Sequence, residues 1–294
     1  MSDKNFFDRS WYELIARSLG ASYFYRKQQG FLRFGIPGFS VFFPVFPSGL
    51  NEYDKNSISV LLKDHLSVLK GASVMRFCTP VDLNTLSFLD GSISYRVQES
   101  TVTKISDLDS WNYESLPSNL KRNLKKAARL GVQVREATPD ESGEIFDLYK
   151  NAVKRNSGAL RYSESYFKSL LSRRNPMLRC TLAYADKQCI AMNISALDGG
   201  QAFYLHGGFA EGFSEWRGPD LLMFEAISWA KRIGGKSFDF MSSPSSQVGL
   251  IKYKEKWGGV SRPQYTVDVY HSRISLYVFQ LAMKCFEFKK RIWK

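Results

Sequence analysis

A helix without a polar face is the feature that most restricts how this chain can fold. Residues 220–235, DLLMFEAISWAKRIGG, are apolar nearly all round, which predicts a helix covered by other elements. Pro219 precedes it, at a position where a helix start tolerates a missing backbone N–H. A strand, KSFDFM, follows at 236–241. A buried helix that leads into a strand is typical of a layered fold in which the helix lies on a sheet.

The segments before this helix alternate as strands and tight turns. The apolar runs TLAYA, CIAMNISAL and AFYLHGG are separated by Asp-Lys and Asp-Gly-Gly turns, which predicts an antiparallel meander. Residues 1–105 show a similar order of helices and strands, including a predicted helix at 57–70. We therefore predict an α+β fold with two lobes, at 1–105 and 106–262. A C-terminal strand and basic helix at 263–294 would pack back on the body.

An amphipathic helix is predicted at 118–129, and Gly131 ends it. Leu120 and Leu124 lie on its apolar face. The opposite face is basic and consists of Lys121, Arg122, Lys125, Lys126 and Arg129. Such a face would bind the phosphates of tRNA, a nucleotide or a lipid carrier. The alternative is a helix face that meets only solvent.

The chain as a whole is basic, with 41 Lys and Arg residues against 28 Asp and Glu and a formal net charge of +13. This excess favours a polyanionic partner, although basic proteins without such a partner are common. The four cysteines form no CxxC pair and there are three histidines, so we predict no metal site and reduced cysteines. The polar N-terminus has no signal-peptide core, which predicts a cytoplasmic location, with attachment to the inner face of the membrane as an option.

Three stretches carry a resemblance to a known family. ESLPSNLKRNLKKAARLGVQVR resembles its basic entry helix and following strand. Residues 202–241 resemble its central strand, loop, buried helix and Asp-containing strand. GLIKYKEKWGG resembles its G-L-x-x-F-K-x-x-F-G signature, with Tyr253 and Trp257 in place of the two Phe. Over residues 95–262 the chain thus resembles the FemAB-like, or BioF2-like, acetyltransferase-domain family, in the Fem peptidoglycan-bridge aminoacyltransferase branch of the GNAT superfamily.

The resemblance implies tandem GNAT-like lobes with mixed, mostly antiparallel sheets flanked by helices. Residues 1–105 would be a degenerate lobe, and 106–262 the catalytic one. The implied activity is N-acyl or aminoacyl transfer that forms an amide bond on an amine of a cell-envelope or polysaccharide precursor. The donor would be aminoacyl-tRNA or an acyl thioester such as acyl-CoA, with no tightly bound cofactor. The acceptor would be a lipid- or nucleotide-linked sugar or peptide.

The resemblance also implies a catalytic lysine. Lys254 matches the family lysine that stabilises the negative charge on the carbonyl oxygen during amine attack. Without the motif it would be one of three surface lysines with Lys252 and Lys256, which share a face if the run is extended. The amine must also lose a proton, for which Asp239, His206, Glu225 or bound water are candidates.

Candidate substrate contacts complete the predicted site. Tyr204 lies on the same strand as His206, and Arg161 and Tyr162 follow a glycine-containing loop. Tyr253 precedes Lys254, where packing is the alternative role. The competing function is a non-catalytic basic protein, a degenerate GNAT scaffold that binds nucleic acid or an anionic membrane surface.

Overall fold

The structure is a computed structural model that describes residues 6–26, 29–36, 39–44, 74–80, 94–156, 158, 160–270 and 272–292. The helix predicted at 57–70 lies outside these residues. The chain forms two compact units. The first unit comprises residues 1–8 and 102–261, and the second comprises 9–101 and 262–294. The final segment is therefore grouped with the N-terminal strands.

Seven helices and eleven strands make up the described chain. In order they are α1 (Arg9–Leu19), β1 (Ser22–Arg26), β2 (Gln29–Ile36), β3 (Phe39–Pro44), β4 (Val74–Thr79), β5 (Ser94–Ile105), α2 (Ser118–Arg129), β6 (Gln133–Glu136), α3 (Ser142–Arg155), α4 (Glu164–Ser172), β7 (Leu178–Ala185), β8 (Gln188–Asp198), β9 (Gln201–Phe209), α5 (Gly218–Arg232), β10 (Ser237–Pro244), α6 (Val248–Glu255), β11 (Val260–Tyr270) and α7 (Arg273–Ile292). Short 3₁₀ helices lie at Tyr113–Ser115, Pro139–Glu141 and Ser214–Trp216.

In the second unit, β1, β2 and β3 form an antiparallel meander, β4 runs parallel to β3, and β11 pairs with β4 in the antiparallel sense. Val41, Val74, Tyr270 and Phe279 form a buried cluster that includes one residue of α7. Across β4 and β11 the Arg76 guanidinium donates two hydrogen bonds to the carboxylate of Asp268, at 2.6 and 2.8 Å.

In the first unit the strand order is β10-β9-β8-β7-β6. All neighbours are antiparallel except β9 and β10, which run parallel. Helix α5 packs on β7 and β8, and α3 packs on β9. The predicted α+β fold, with mixed and mostly antiparallel strands flanked by helices, is confirmed.

The predicted burial of the apolar helix is confirmed as well. Leu222, Met223, Ala226 and Ile227 on α5 are all at most 3% exposed. Burying each of the larger side chains stabilises the fold by roughly 1.5–3 kcal/mol. This burial fixes α5 on the sheet, and with it the loop that precedes the helix and the strand β10 that follows.

None of the described helices is both long enough and apolar enough to cross a membrane.

Candidate active site

The parallel strands β9 and β10 part soon after they meet. They pair over three residues, from Ser237 opposite Gln201 to Asp239 opposite Phe203. Both strands continue past this point, to Phe209 and Pro244. The register of β9 against β8 also shifts, between Ile194 and Ser195 on β8. Such an irregularity bends a strand and increases its local twist. The two strands therefore diverge and leave an opening beyond Asp239.

Lys254 lies on α6 and is buried, with 4% of its surface exposed. Its Nζ donates hydrogen bonds to the carbonyl oxygen of Met241 at 2.6 Å and to the hydroxyl of Ser243 at 2.7 Å. Both acceptors lie on the part of β10 that has separated from β9. An ammonium group carries three N–H donors, so these two bonds leave one donor for another acceptor.

The buried environment of Lys254 shifts its pKa toward neutral pH. Burial lowers the pKa of Lys254 to about 8, while the negative charge of Asp239 acts in the opposite direction. The group is therefore cationic at pH 7, yet it holds its proton less firmly than an exposed lysine does. A buried titratable group with a displaced pKa is a mark of functional sites.

The neighbouring lysines differ from Lys254 in their exposure to solvent. Lys252 and Lys256 are exposed. The extended run considered for these three residues is wrong, because Val248–Glu255 is helical. In a helix, residues two apart point roughly 200° away from each other, so Lys254 turns inward while its neighbours face solvent.

Asp239 holds the same segment of β10 that Lys254 binds. Its Oδ1 accepts a hydrogen bond from the backbone N–H of Met241 at 2.6 Å, and its Oδ2 accepts one from the Gln201 amide at 3.4 Å. Met241 has a φ of +67°, in the left-handed region that non-glycine residues rarely occupy. Asp239 and Lys254 thus bind the N–H and the C=O of the same strained residue, and they form one connected network.

His206 lies in an aromatic cluster instead. Its Nε2 is 2.9 Å from the hydroxyl of Tyr166, and the rings of Tyr149, Tyr162 and Phe167 surround it edge to face. Burial lowers the pKa of His206 to about 3, so the ring is neutral at physiological pH and a weak base. Tyr162 belongs to this cluster, since its ring stacks on Tyr166 with the centroids 4.2 Å apart.

Two other predicted substrate contacts, Arg161 and Tyr253, lie in different environments from each other. The Arg161 side chain is exposed, and its backbone N–H donates to the Tyr149 hydroxyl at 3.3 Å. The Tyr253 hydroxyl lies 3.5 Å from the carbonyl oxygen of Pro219, at the start of α5, and burial raises its pKa well above the ordinary value. Tyr253 therefore joins the site at the helix start, whereas Arg161 stays at the surface.

Asp220, in the first turn of α5, was not predicted to belong to the site. It is 8% exposed and accepts a hydrogen bond from the Asn123 amide of α2 at 2.8 Å. Burial raises the pKa of Asp220, and hydrogen bonding by Asn123 together with the charges of Arg217 and Lys256 opposes this shift. The sequence signal was an acidic residue next to Pro219 in an otherwise apolar helix. Its partner, 97 positions earlier, had no signal of its own.

Tyr204 on β9 lies against the backbone of Gly207. A β-carbon at position 207 would overlap its hydroxyl and ring. Burial raises the pKa of Tyr204 to about 12, so the hydroxyl is un-ionised, and the charge of Arg155 acts to lower that value. Gly207 therefore provides the space that the Tyr204 ring occupies.

Replacing Gly207 by alanine is expected to destabilise the protein by about 1–3 kcal/mol, because the new methyl group overpacks the Tyr204 ring. Chemical denaturation of Gly207→Ala measures the loss. In a Tyr204→Ala background the same substitution should cost much less. Gly143→Ala is the matched control, since its nearest neighbour would be 3.7 Å away. Equal losses in both backgrounds would show that Tyr204 does not occupy this space.

The basic face of α2 divides into two groups. Lys121 donates to the carbonyl and carboxylate oxygens of Glu114 at 2.7 and 3.1 Å, and Lys126 lies 3.8 Å from the carboxylate of Glu215. Arg122, Lys125 and Arg129 are exposed, and within the described residues no carboxylate pairs with them. These three are the cations that remain available to a polyanion.

Comparisons with known proteins support the GNAT class of acyltransferases. Residues 115–255 match the family model of the acetyltransferase (GNAT) domain, and this match supports an acyltransferase. A search among curated proteins finds no match. Within the described residues, no group of three or more His, Cys, Asp or Glu side chains is placed to hold a metal ion.

Solved structures share the architecture of this chain. It is similar to FemX, with a TM-score of 0.66 at 12% identity over 88% of this chain and 90% of that one. It is similar to L-PGS from Bacillus licheniformis, with a TM-score of 0.61 at 16% identity over 98% of both chains. It is also similar to a tandem GNAT protein from the clavulanic acid biosynthesis pathway, with a TM-score of 0.51 at 11% identity over 83% and 79%. The predicted resemblance to the FemAB-like GNAT family and its tandem fold is confirmed.

Proposed function

We propose that this protein is an N-acyl or aminoacyl transferase that forms an amide bond on an amine of a cell-envelope or polysaccharide precursor. The observation that carries the proposal is the buried ammonium of Lys254 at the opening between β9 and β10. A fixed cation in a buried, low-dielectric setting stabilises developing negative charge far better than a solvated one. The GNAT domain match supports the reaction class.

In the proposed reaction, the acceptor amine attacks the carbonyl carbon of an ester or thioester donor. A C–N bond forms, the amine loses a proton, and the C–O or C–S bond breaks as the leaving group departs. The third N–H of Lys254 stabilises the intermediate oxyanion. Its other two bonds, to Met241 and Ser243, hold the ammonium in place without repositioning during the reaction.

The three side chains that could accept the amine proton are each weakly basic or already bonded to another group. His206 is a weak base bonded to Tyr166, and Glu225 lies 3.6 Å from the Arg179 guanidinium. Asp239 already accepts bonds from Met241 and Gln201. We therefore propose that bound water takes the proton, and that Asp239 acts as a positioning residue that orients the segment of β10 bonded by Lys254.

The proposed donor is aminoacyl-tRNA or an acyl thioester, and the proposed acceptor is a sugar or peptide linked to a lipid or nucleotide. All of these carry phosphates, which suit the exposed cations of α2. We expect Arg122→Glu, Lys125→Glu and Arg129→Glu together to weaken binding of the phosphorylated substrate at least tenfold at low salt. The loss should shrink as salt is added, which titration at several salt concentrations measures.

The control for this charge reversal is Lys150→Glu, Lys154→Glu and Lys168→Glu, which removes three positive charges from outside α2. The net charge change is the same, so a specific α2 site should leave this variant near wild-type affinity. If both triple variants lose affinity equally, the effect is one of overall charge, and the α2 face has no binding role.

Mass spectrometry tests the proposed function. Native spectra of the purified protein would identify a retained donor or acceptor. Incubation with acyl-CoA and aminoacyl-tRNA panels and amine acceptors should then yield an amide whose mass equals donor plus acceptor minus the leaving group. Retention of a polyanion with no amide from any donor would favour the competing function, a non-catalytic scaffold.

A further inference from the structure

We infer that α7 docks the protein on an anionic lipid surface. The inference begins with four large apolar side chains that face solvent on this helix. Ile274, Tyr277, Val278 and Leu281 are 76%, 68%, 40% and 51% exposed. Their spacing of three, four and seven residues places them on one side of the helix, and we call this side the exposed α7 face.

The opposite side of α7 already holds the helix on its unit. Phe279 is 3% exposed and packs with Val41, Val74 and Tyr270, and Leu276 lies against the same cluster. The Arg76 guanidinium lies 4.9 Å from the centroid of the Phe279 ring. The fold therefore buries one side of α7 and leaves the exposed α7 face outside the core. A contiguous apolar surface of this kind marks an interaction site.

Charge indicates which partner covers the exposed α7 face. The helix Arg273–Ile292 contains five basic residues and one acidic residue, and four of the basic residues follow position 283. Two copies of so cationic a helix would repel one another, whereas an anionic membrane attracts it. An apolar side combined with Lys and Arg is the pattern of helices that lie in the membrane interface.

The inference stands independently of the proposed reaction. It needs only the exposure of four side chains, the anchoring through Phe279 and the charge of the helix. A lipid-attached transferase would meet lipid-linked acceptors at the surface that holds them. A catalytically inactive protein with the same helix would bind the membrane equally well, so failure of one proposal leaves the other intact.

Vesicle sedimentation tests the inference with the full chain. We expect binding to phosphatidylcholine vesicles that contain phosphatidylglycerol, and at least tenfold weaker binding to phosphatidylcholine alone. The variant with Ile274→Ser, Tyr277→Ser and Leu281→Ser should lose at least tenfold in affinity for the anionic vesicles. Its fold should be retained, because these side chains are already exposed, and circular dichroism would verify this.

The matched control carries Leu160→Ser, Val248→Ser and Val260→Ser, three exposed apolar residues away from α7. This control should bind the anionic vesicles as the wild type does. Three outcomes would overturn the inference: no binding to either vesicle, equal losses in both triple variants, or unchanged binding by the α7 variant. A dimer seen by sedimentation velocity without vesicles, and abolished in the α7 variant, would also overturn it. The exposed α7 face would then bind a second copy of the chain.

Discussion

Replacing Lys254 by methionine is expected to lower kcat for acyl transfer by roughly 10²–10³-fold, the usual cost of losing one oxyanion donor. Methionine has a similar length and no charge, so it leaves less empty space than alanine would. The measurement is the steady-state rate of amide formation as the donor and acceptor concentrations are varied up to saturation. The KM values should change little, because the stabilised charge exists only in the transition state.

Lys252→Met is the matched control, because it removes the same charge from an exposed position on the same helix. It should keep the wild-type rate. Lys254→Arg should rescue poorly, since the planar guanidinium is larger than the space between Met241 and Ser243 that the ammonium occupies. Similar, small effects of Lys254→Met and Lys252→Met would contradict the assignment.

Stability must be measured alongside the rate. A lysine is usually dispensable for folding, because lysine side chains rarely lie in a core. The structure alters that expectation, since Lys254 is buried and bonds two groups of β10. Its loss leaves a buried carbonyl and hydroxyl without this partner, at a cost of about 1–3 kcal/mol.

The second large effect is on stability, at Trp257. Trp257→Ala is expected to lower the free energy of unfolding by roughly 3–5 kcal/mol, because the whole side chain is buried and a cavity would remain. The residue also accepts a hydrogen bond, at its carbonyl oxygen, from the Trp111 indole at 2.9 Å. Denaturant unfolding of the full chain, followed by circular dichroism, measures the change.

Trp216→Ala is the comparison for this prediction, because Trp216 is only partly buried. It should cost clearly less than Trp257→Ala. A loss below about 1 kcal/mol for Trp257→Ala would show that the end of α6 is not anchored as described. In that case the position of Lys254, three residues before Trp257 and near the end of α6, would lose its main support.

The sequence predicted the parts of the fold that local pattern determines. The apolar run of α5 had one solution, burial on a sheet, and α2 had an unambiguous helical period. The pattern of the three alternating lysines, in contrast, did not determine one type of secondary structure. Lys-x-Lys-x-Lys fits a strand and a helix equally well, so packing of the buried Trp257, which the local pattern does not reveal, supports the helix. The burial of Lys254 follows from that packing.

The remaining site features depend on contacts between distant parts of the chain. Asp220 meets Asn123 across two helices, and His206 lies among aromatic rings supplied by α3 and α4. No local pattern distinguishes such a histidine from an accessible one. The neutral, enclosed state of His206 becomes evident only when its neighbours are in place.

The pH dependence of kcat/KM tests the central claim most directly, with wild type and Lys254→Arg compared on the same substrates. Lys254 is protonated below a pKa of about 8 and loses its charge above it. The account predicts that the wild-type rate falls as pH rises through about 8, and that the slower arginine variant, whose guanidinium stays charged, lacks this fall. The same alkaline fall in both proteins would contradict the proposed role of Lys254.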